Sequence, residues 1–410
     1  VRPAGVARTS GGLVFDGRTV LSLPPGRYSF RMRRGLVYRE RSGEFQLRSG
    51  DADHHKDPLP RFVDMAGEGG WSGDLHAEVH QRPDLPTRIL ASDLHVVPLI
   101  DQRNDDASHV RPIDIDPLQA AIGQRRLVPC RGAVDRRAGS VVVLMATGTL
   151  AKLPKIDQPL PTPFDIVRSI RATPRASHHI HLGRVSGWDL PTWIALELVD
   201  SVGVLHEGLG QAGAQPAPLD RPHDPVLFPE PDGVGRWAQH IYFNLLEAGI
   251  RVAPGAGSGA DGTGRSLGDA RVYVHCGKQL LAEAWWEGLR AGHVVVTNGP
   301  QMRLTVNDRL PGAVFSGRSG QVVELDVQLK LSTQHKIRYL EIIQNGRPVH
   351  QVRLEEWVSR RGELPPVRFT ESGWMLVRAV AEDSSMYRVA MSGPCFVEFD
   401  DQPRVSREAA

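Results

Sequence analysis

Apolar and polar residues alternate in short runs along the first 65 residues, and turn-forming sequences such as Pro24-Pro25-Gly26 separate the runs. Alternation with a period of two predicts strands, because successive side chains of a strand point to opposite faces. Residues 1–65 are therefore predicted to form a small antiparallel β module. Its predicted strands are Leu13–Phe15, Thr19–Leu23, Tyr28–Met32, Leu36–Arg39 and Phe45–Leu47.

Residues 66–300 have a different pattern, in which apolar runs of strand length alternate with segments of helical spacing. This alternation favours an α/β domain with mostly parallel strands. The predicted strands are Leu94–Ile100, Ser140–Ala146, His178–Leu182, Arg271–Val274 and His293–Thr297. The predicted helices are Asp116–Ile122, Pro163–Arg171, Pro191–Leu198, Arg236–Ala248 and Gln279–Ala291.

After Asn298-Gly299-Pro300 the chain returns to alternating apolar and polar positions with frequent turns. Turns at intervals of roughly 8 to 12 residues are typical of a β-sandwich. Residues 301–410 are therefore predicted to form a C-terminal β-sandwich. Its predicted strands are Met302–Val306, Val322–Leu329, Arg338–Gln344, Pro348–Leu354, Trp374–Val380 and Cys395–Phe399.

The composition indicates a globular protein and narrows the class of partner. Of 410 residues, 40% are hydrophobic and 23% charged, which excludes a disordered chain. The 49 basic and 47 acidic residues nearly cancel, and no apolar run approaches the ~20 residues of a membrane span. We expect a small-molecule substrate or ligand and neither a nucleic-acid nor a membrane partner; the oligomeric state is not predicted.

The cysteines and the start of the chain bear on the cellular compartment. Cys130, Cys276 and Cys395 lie far apart, so no zinc ribbon is expected and the fold is not expected to depend on disulfides. No signal peptide is visible after Val1. We expect a soluble protein, which would be periplasmic or secreted if a leader has been removed.

The segment from Asp74 to His80 holds the strongest candidate chemistry. If it is a strand, Asp74, His76, Glu78 and His80 share one face. Carboxylates and imidazoles at the end of a barrel strand are the ligands that divalent metals need. The alternative is a polar strand edge exposed to water.

Further histidines follow at strand-like spacing. His179 and His181 would share a strand face, as two metal ligands or as surface residues. His206 follows an apolar run, either as a ligand at a strand end or as a core histidine. The Gly-rich loop Pro254–Gly264 could bind an anion through its N–H groups, but it lacks the lysine of a P-loop and precedes a strand, so nucleotide binding is not expected.

Several motifs occur in an order that resembles the carbaryl-hydrolase-like (CehA/McbA) family of PHP-type metallohydrolases. The similarity covers about residues 20–400. The motifs are Arg61–Met65, Trp71–His76 (WSGDLH), Ala91–Val97 (ASDLHVV), Trp188–Trp193 (WDLPTW), Ala256–Ser258, Arg271–Val274 (RVYV), Trp286–Gly292 (WEGLRAG), Val296–Pro300 (VTNGP), Tyr387-Arg388 and Ser392–Pro394.

The resemblance implies a distorted α/β barrel, over residues 66–300, with a divalent-metal site at the carboxyl ends of its strands. A bound zinc, manganese or iron ion would activate a water molecule to hydrolyse an ester, carbamate or phosphoester bond. His76 matches the first histidine of the family's His-x-His motif. Glu78 stands at the second position, unless a one-residue insertion gives that role to His80. His206 also matches a family histidine.

Other positions depart from the family pattern. Ser92 replaces an acidic residue, Gly183-Arg184 replaces a Glu-Lys pair, and Gly259 stands where some relatives have Asp, with Asp261 two residues on. Two functions therefore follow from the sequence: a metal-dependent hydrolase with an altered site, or a catalytically silent binding or structural protein. The candidate metal ligands are His76, Glu78, His80, His179, His181, His206 and Asp261.

Overall fold

A computed structural model describes most of the chain. It covers residues 6–9, 12–52, 54, 56–78, 84–103, 114–137, 142–146, 153–155, 157–174, 178–206, 209, 220–259 and 266–406. The first strands are β1 (Val6–Thr9), β2 (Gly12–Phe15), β3 (Gly26–Met32), β4 (Arg41–Leu47), β5 (Gly70–Gly73), β6 (Leu99–Arg103), β7 (Arg131–Asp135), β8 (Val142–Ala146), β9 (His178–Leu182), β10 (Ser201–Leu205), β11 (Ala253–Ala256), β12 (Arg271–His275) and β13 (Val294–Thr297).

The C-terminal strands and the helices complete the list of elements. The strands are β14 (Gln301–Val306), β15 (Val314–Gly317), β16 (Val323–Leu325), β17 (Val327–Ser332), β18 (Ile337–Gln344), β19 (Arg347–Val352), β20 (Val367–Phe369), β21 (Gly373–Ala381), β22 (Val389–Ser392) and β23 (Cys395–Phe399). The helices are α1 (Leu85–Ser92), α2 (Ile115–Ile122), α3 (Pro163–Arg171), α4 (Leu190–Ala195), α5 (Gly233–Glu247), α6 (Ala282–Arg290) and α7 (Leu354–Ser359).

The N-terminal region contains two antiparallel pairs, β1–β2 and β3–β4. The predicted strands at Thr19–Leu23 and Leu36–Arg39 are wrong, because both segments are irregular. In the second segment Val37 packs with Val63 and Met65 in a small core, so its apolar side chain is buried without a strand ladder.

Six strands of the central region form one sheet in the order β11-β10-β9-β8-β7-β6. The pairs β6–β7, β9–β10 and β10–β11 are parallel, whereas β8 runs antiparallel to both of its neighbours. The prediction of mostly parallel strands therefore fails at β8, and also at β12, which pairs antiparallel with β5 and β13 in another sheet. The six residues 136–141 join β7 to β8, and a parallel crossover needs about a dozen or more.

The segment after β5 closes this sheet into a ring of strands. On one side Gly73 bridges Val96 and Glu78 bridges Ile100, both in parallel. On the other side the Leu75 N–H donates to the carbonyl of Ala256 at 3.0 Å. Because Ile100 lies in β6 and Ala256 in β11, residues 73–78 join the two edge strands of the sheet. We call residues 74–78 the closing segment.

Helices bury their apolar faces against the strands of the central region. The predicted helix Pro163–Arg171 is confirmed as α3, which begins with a capping box between Thr162 and Asp165. Trp193 of α4 and Trp285 of α6 are fully buried in the main core. None of the helices in the described part of the chain is long and apolar enough to cross a membrane.

The C-terminal region is built from β-sheets in two layers with a common core. Leu304 and Leu329, from the pair β14–β17, are buried in the same cluster as Ile342 and Val377 of the large sheet. That large sheet has the order β15-β23-β21-β22-β13-β12-β5, with β18 and β19 attached at β21. The molecule is thus a mixed α/β protein with a sandwich-like C-terminal region. The large sheet continues across residue 300, the predicted domain boundary.

Candidate functional site

The closing segment places His76 beside Glu78 in the interior. Regular strand structure ends at Gly73, so the strand expected to continue from Asp74 is not formed over residues 74–78, which are irregular. His76 Nε2 is 2.6 Å from Glu78 Oε1, and both side chains are buried. The guanidinium of Arg136, the residue after β7, donates to the same carboxylate oxygen. We call these three residues the His76–Glu78–Arg136 cluster.

Asp74 does not join this cluster but fixes the loops that follow β11. Its carboxylate accepts hydrogen bonds from the Ser258 N–H at 3.0 Å, the Gly268 N–H at 2.9 Å and the His76 N–H at 3.1 Å, and from the Ser258 hydroxyl. Burial raises the pKa of Asp74, and these hydrogen bonds oppose that rise. A carboxylate has about four lone-pair sites, so these four hydrogen bonds use the full accepting capacity of Asp74.

His76 and His206 lie on either side of Gly257. The Gly257 N–H donates to the carbonyl of Leu205, which immediately precedes His206. A Cβ added to Gly257 would be 2.3 Å from the Cβ of His76, so only glycine permits this approach. His206 is buried with 1% of its surface exposed. The backbone therefore brings the closing segment and the end of β10 to the same end of the ring.

His179 and His181 are both held by Ser201, the first residue of β10. His179 Nε2 and His181 Nδ1 lie 2.9 and 2.8 Å from Oγ of Ser201, the first residue of that strand. A hydroxyl has one proton, so Ser201 donates to one imidazole and accepts from the other. Burial, with a contribution from Arg290, lowers the pKa of His179 to about 3, so this ring is neutral at pH 7.

The described candidate ligands do not form one metal-binding set. Among the residues that the structure describes, no three His, Cys, Asp or Glu side chains are placed to hold a metal ion. His80 and Asp261 lie outside the described residues. The side chains present do not fit a divalent metal, because the Glu78 carboxylate is paired with a guanidinium.

Two positions that depart from the family pattern are structural. The Ser92 hydroxyl donates to the carbonyl of Ile89 at 2.8 Å within the last turn of α1. Ser92 precedes Val96, the partner of Gly73, so it lies towards the opposite end of the ring from Glu78. The backbone of Gly183 lies against Gly203, whose added Cβ would be 2.1 Å from the Gly183 carbonyl oxygen.

Sequence reasoning missed Arg136 and Ser201. Arg136 follows the strand Arg131–Asp135, whose short apolar run Gly132–Val134 was not identified as a strand. Ser201 begins β10, and its position directly before the apolar run Val202–Leu205 was the available signal. The Gly-rich loop was placed too early, because Pro254–Ala256 belong to β11.

Comparisons with known proteins add little to this geometry. No protein-family model and no curated protein matches the chain. Among solved structures, the fibronectin(III)-like modules of Clostridium thermocellum CbhA align with 24% of this chain and 96% of that one, at 10% identity and a TM-score of 0.17. A TM-score this low carries no argument about fold or function.

Proposed function

We propose that this protein is a PHP-type barrel whose metal site has been replaced by an internal ion pair, and that it is a catalytically silent binding protein. The observation that supports the proposal is the His76–Glu78–Arg136 cluster. Arg136 supplies the positive charge that a metal ion would otherwise bring to the Glu78 carboxylate. A guanidinium stays protonated at any pH of interest, so it repels a dication at the same carboxylate.

The residues that carry the family resemblance support the barrel scaffold in this proposal. Asn298, in the motif VTNGP, receives the Val389 N–H at 2.8 Å and donates to the carbonyl of Tyr387 at 2.8 Å. Arg271, in the motif RVYV, is 1% exposed and donates to the carbonyls of Ser92 and Gly268. The retained motifs thus join parts of the scaffold, whereas the altered positions are those at which the family implies ligands.

One observation favours the hydrolase as a second candidate. His76 and His206, which both match family ligands, flank the same glycine at one end of the ring. A metal held there would supply an activated water for ester, carbamate or phosphoester hydrolysis.

Elemental analysis of protein purified without added metal or chelator separates the two functions. For the silent protein we expect clearly substoichiometric zinc, manganese and iron, no uptake on reconstitution, and no chelator-sensitive hydrolysis of p-nitrophenyl acetate or bis-p-nitrophenyl phosphate. One metal per chain, with chelator-sensitive hydrolysis that His206→Ala abolishes, would establish the hydrolase. Ser316→Ala, an exposed substitution in β15, is the matched control.

A further inference from the structure

A cavity of about 290 Å³ lies at the end of the ring remote from the His76–Glu78–Arg136 cluster. It surrounds Asp93 and His95. Both residues precede Val96, which pairs with Gly73, so they lie near the beginning of the closing segment. Glu78 is paired with Ile100, five residues beyond His95, or about 16 Å along an extended chain. None of the candidate metal ligands that the structure describes lines this cavity.

The cavity has an excess of positive charge. Among the described residues, its lining includes four guanidinium groups and two carboxylates, Asp64 and Asp93. The arginines are Arg34, Arg61, Arg125 and Arg126. Asp93 is buried and accepts from Arg61 at 3.0 Å and from Arg126 at 3.4 Å, so both ends of this carboxylate are already used. Two positive charges remain without a compensating carboxylate in the lining.

Arg34 and Arg125 carry this excess. Neither side chain forms an ion pair or hydrogen bond with another residue in the described part of the chain. The buried Nε atoms of Arg34 and Arg126 also have no hydrogen-bond partner there. Unused donors on planar guanidinium groups around one cavity are suited to a tetrahedral oxyanion, which guanidinium groups bind in a bidentate manner.

The arginines are positioned before any ligand arrives. The guanidinium carbons of Arg34 and Arg61 lie 4.9 and 4.6 Å from the centre of the Tyr38 ring, and the Tyr38 hydroxyl accepts from Arg61 at 2.6 Å. Gly35 rests against the end of α1, where an added Cβ would be 2.4 Å from the carbonyl oxygen of Ser92. This contact fixes the Arg34 backbone beside Asp93, so little ordering of the site is needed on binding.

The positive charge around the cavity affects the pKa values of neighbouring groups. Burial lowers the pKa of His95 to about 3, and Arg126, Arg271, Arg61 and Arg125 lower it further. Burial lowers the pKa of Arg126. Arg34 lowers it further, whereas Asp93 acts to raise it. His95 is therefore neutral at pH 7, and a bound anion would relieve the repulsion among the guanidinium groups.

We propose that this cavity binds a small oxyanion of charge −2, either inorganic phosphate or the phosphate group of a phosphomonoester. The proposal does not depend on whether the opposite end of the ring holds a metal. The cavity volume leaves space beside a phosphate group for a small organic substituent. Charge complementarity predicts that binding weakens as salt is added, since Arg125 is exposed to solvent.

Isothermal titration calorimetry at low salt tests the proposal with inorganic phosphate and with glycerol 3-phosphate. We expect saturable binding at one site per chain for at least one of them. Arg34→Gln and Arg125→Gln should each weaken that binding roughly tenfold or more. Arg318→Gln, which removes the same charge from an exposed arginine in the C-terminal region, should leave the affinity unchanged.

Tighter binding of glycerol 3-phosphate than of phosphate would identify a phosphomonoester site, and the reverse would identify a site for the free ion. Thermal melting without ligand shows whether each variant is folded. If Arg34→Gln is unfolded, the affinity of Arg125→Gln, a substitution at an exposed position, tests the proposal by itself. Absence of saturable binding to the wild type would overturn the proposal. So would equal affinities in Arg125→Gln and Arg318→Gln.

Discussion

At the residue scale, the interior of the ring holds charged side chains that are hydrogen-bonded directly to side chains of opposite charge. Glu78 has 2% of its side chain exposed and Arg136 has 18%, so their pairing takes place largely away from water. Burying two charges costs several kcal/mol, which their attraction and hydrogen bonds offset. Removing one partner therefore costs far more than the net contribution of the pair.

Replacement of Arg136 by Met should destabilise the protein by about 3 kcal/mol, because it removes the guanidinium that pairs with the buried Glu78 carboxylate. The double variant Arg136→Met/Glu78→Gln should recover at least half of that loss, since both charges of the pair are then removed. Urea unfolding measures both changes. Arg368→Met breaks the exposed pair with Glu324 and should cost less than about 1 kcal/mol. Equal costs for Arg136→Met and Arg368→Met would contradict this account.

Asp200 gives the fold an acid-sensitive contact next to His179. Its carboxylate accepts from the Ile180 N–H at 2.8 Å and from Arg171 at 3.0 Å. Burial acts to raise the pKa of Asp200, but His179, the Ile180 N–H and Arg171 act against it, and the net pKa is lowered. A lowered pKa means that this contribution to stability is complete above about pH 4 and is lost as the pH falls below that value.

Substitution of Asp200 by Asn should reduce the free energy of unfolding at pH 7 by about 3 kcal/mol. It should also flatten the decline in stability below pH 4, because the titrating group is gone. Urea unfolding at a series of pH values from 7 to 3 provides the comparison with wild type. An Asn variant whose stability falls with acid as steeply as the wild type would show that other carboxylates dominate.

At the scale of elements, the closing segment depends on a close approach between backbones. Gly257→Ala should destabilise the protein by about 2 kcal/mol or more, because the new Cβ would lie 2.3 Å from the Cβ and 2.7 Å from the backbone nitrogen of His76. Thermal melting measures the loss. Gly26→Ala is the matched control, since its Cβ would meet Tyr28 at an ordinary contact distance of 3.6 Å. Equal melting temperatures for the two variants would contradict the proposed packing.

Elements with strong local patterns could be predicted from the sequence, and those that depend on distant partners could not. The strand β9 and the capped, periodic helix α3 have the predicted bounds. The predicted strand Val322–Leu329 is divided at Asp326, because β16 pairs with β20 whereas β17 pairs with β14. A local sequence pattern does not specify which strand will be the partner. The antiparallel direction of β8 was missed for the same reason.

The candidate site was predictable in its residue types but not in its contacts. The spacing of His76 and Glu78 correctly placed two polar side chains together, yet their third partner, Arg136, lies 58 residues from Glu78. His179 and His181 do share a strand face, as their spacing predicts, but the residue that binds both of them is Ser201, on the next strand. A spacing rule applies within one strand, whereas a site requires knowledge of how strands are ordered.

At the scale of the whole molecule, one sheet joins the central and C-terminal regions. Strand β13 pairs with β22 from Val295–Ser392 to Thr297–Ala390. Limited trypsin digestion should therefore not release an intact fragment that begins near residue 300 before other sites are cleaved. The reason is that β13 and β14, on either side of the junction, are both paired with C-terminal strands. Mass spectrometry of early digests checks this. Rapid accumulation of a stable fragment 301–410 would mean that the two regions separate easily.

The closing segment also constrains when the chain can finish folding. Asp74 is bonded to Ser258, 184 residues later, and the N–H of Gly259 donates to the carbonyl of His76. Contacts of such long sequence separation form slowly, since a large loop must be ordered first. During synthesis, the backbone groups of residues 74–78 that pair with β11, such as the Leu75 N–H, must wait without their native partners until β11 has been made. Ring closure is therefore a late step, and a nascent chain that stops before residue 259 cannot complete it.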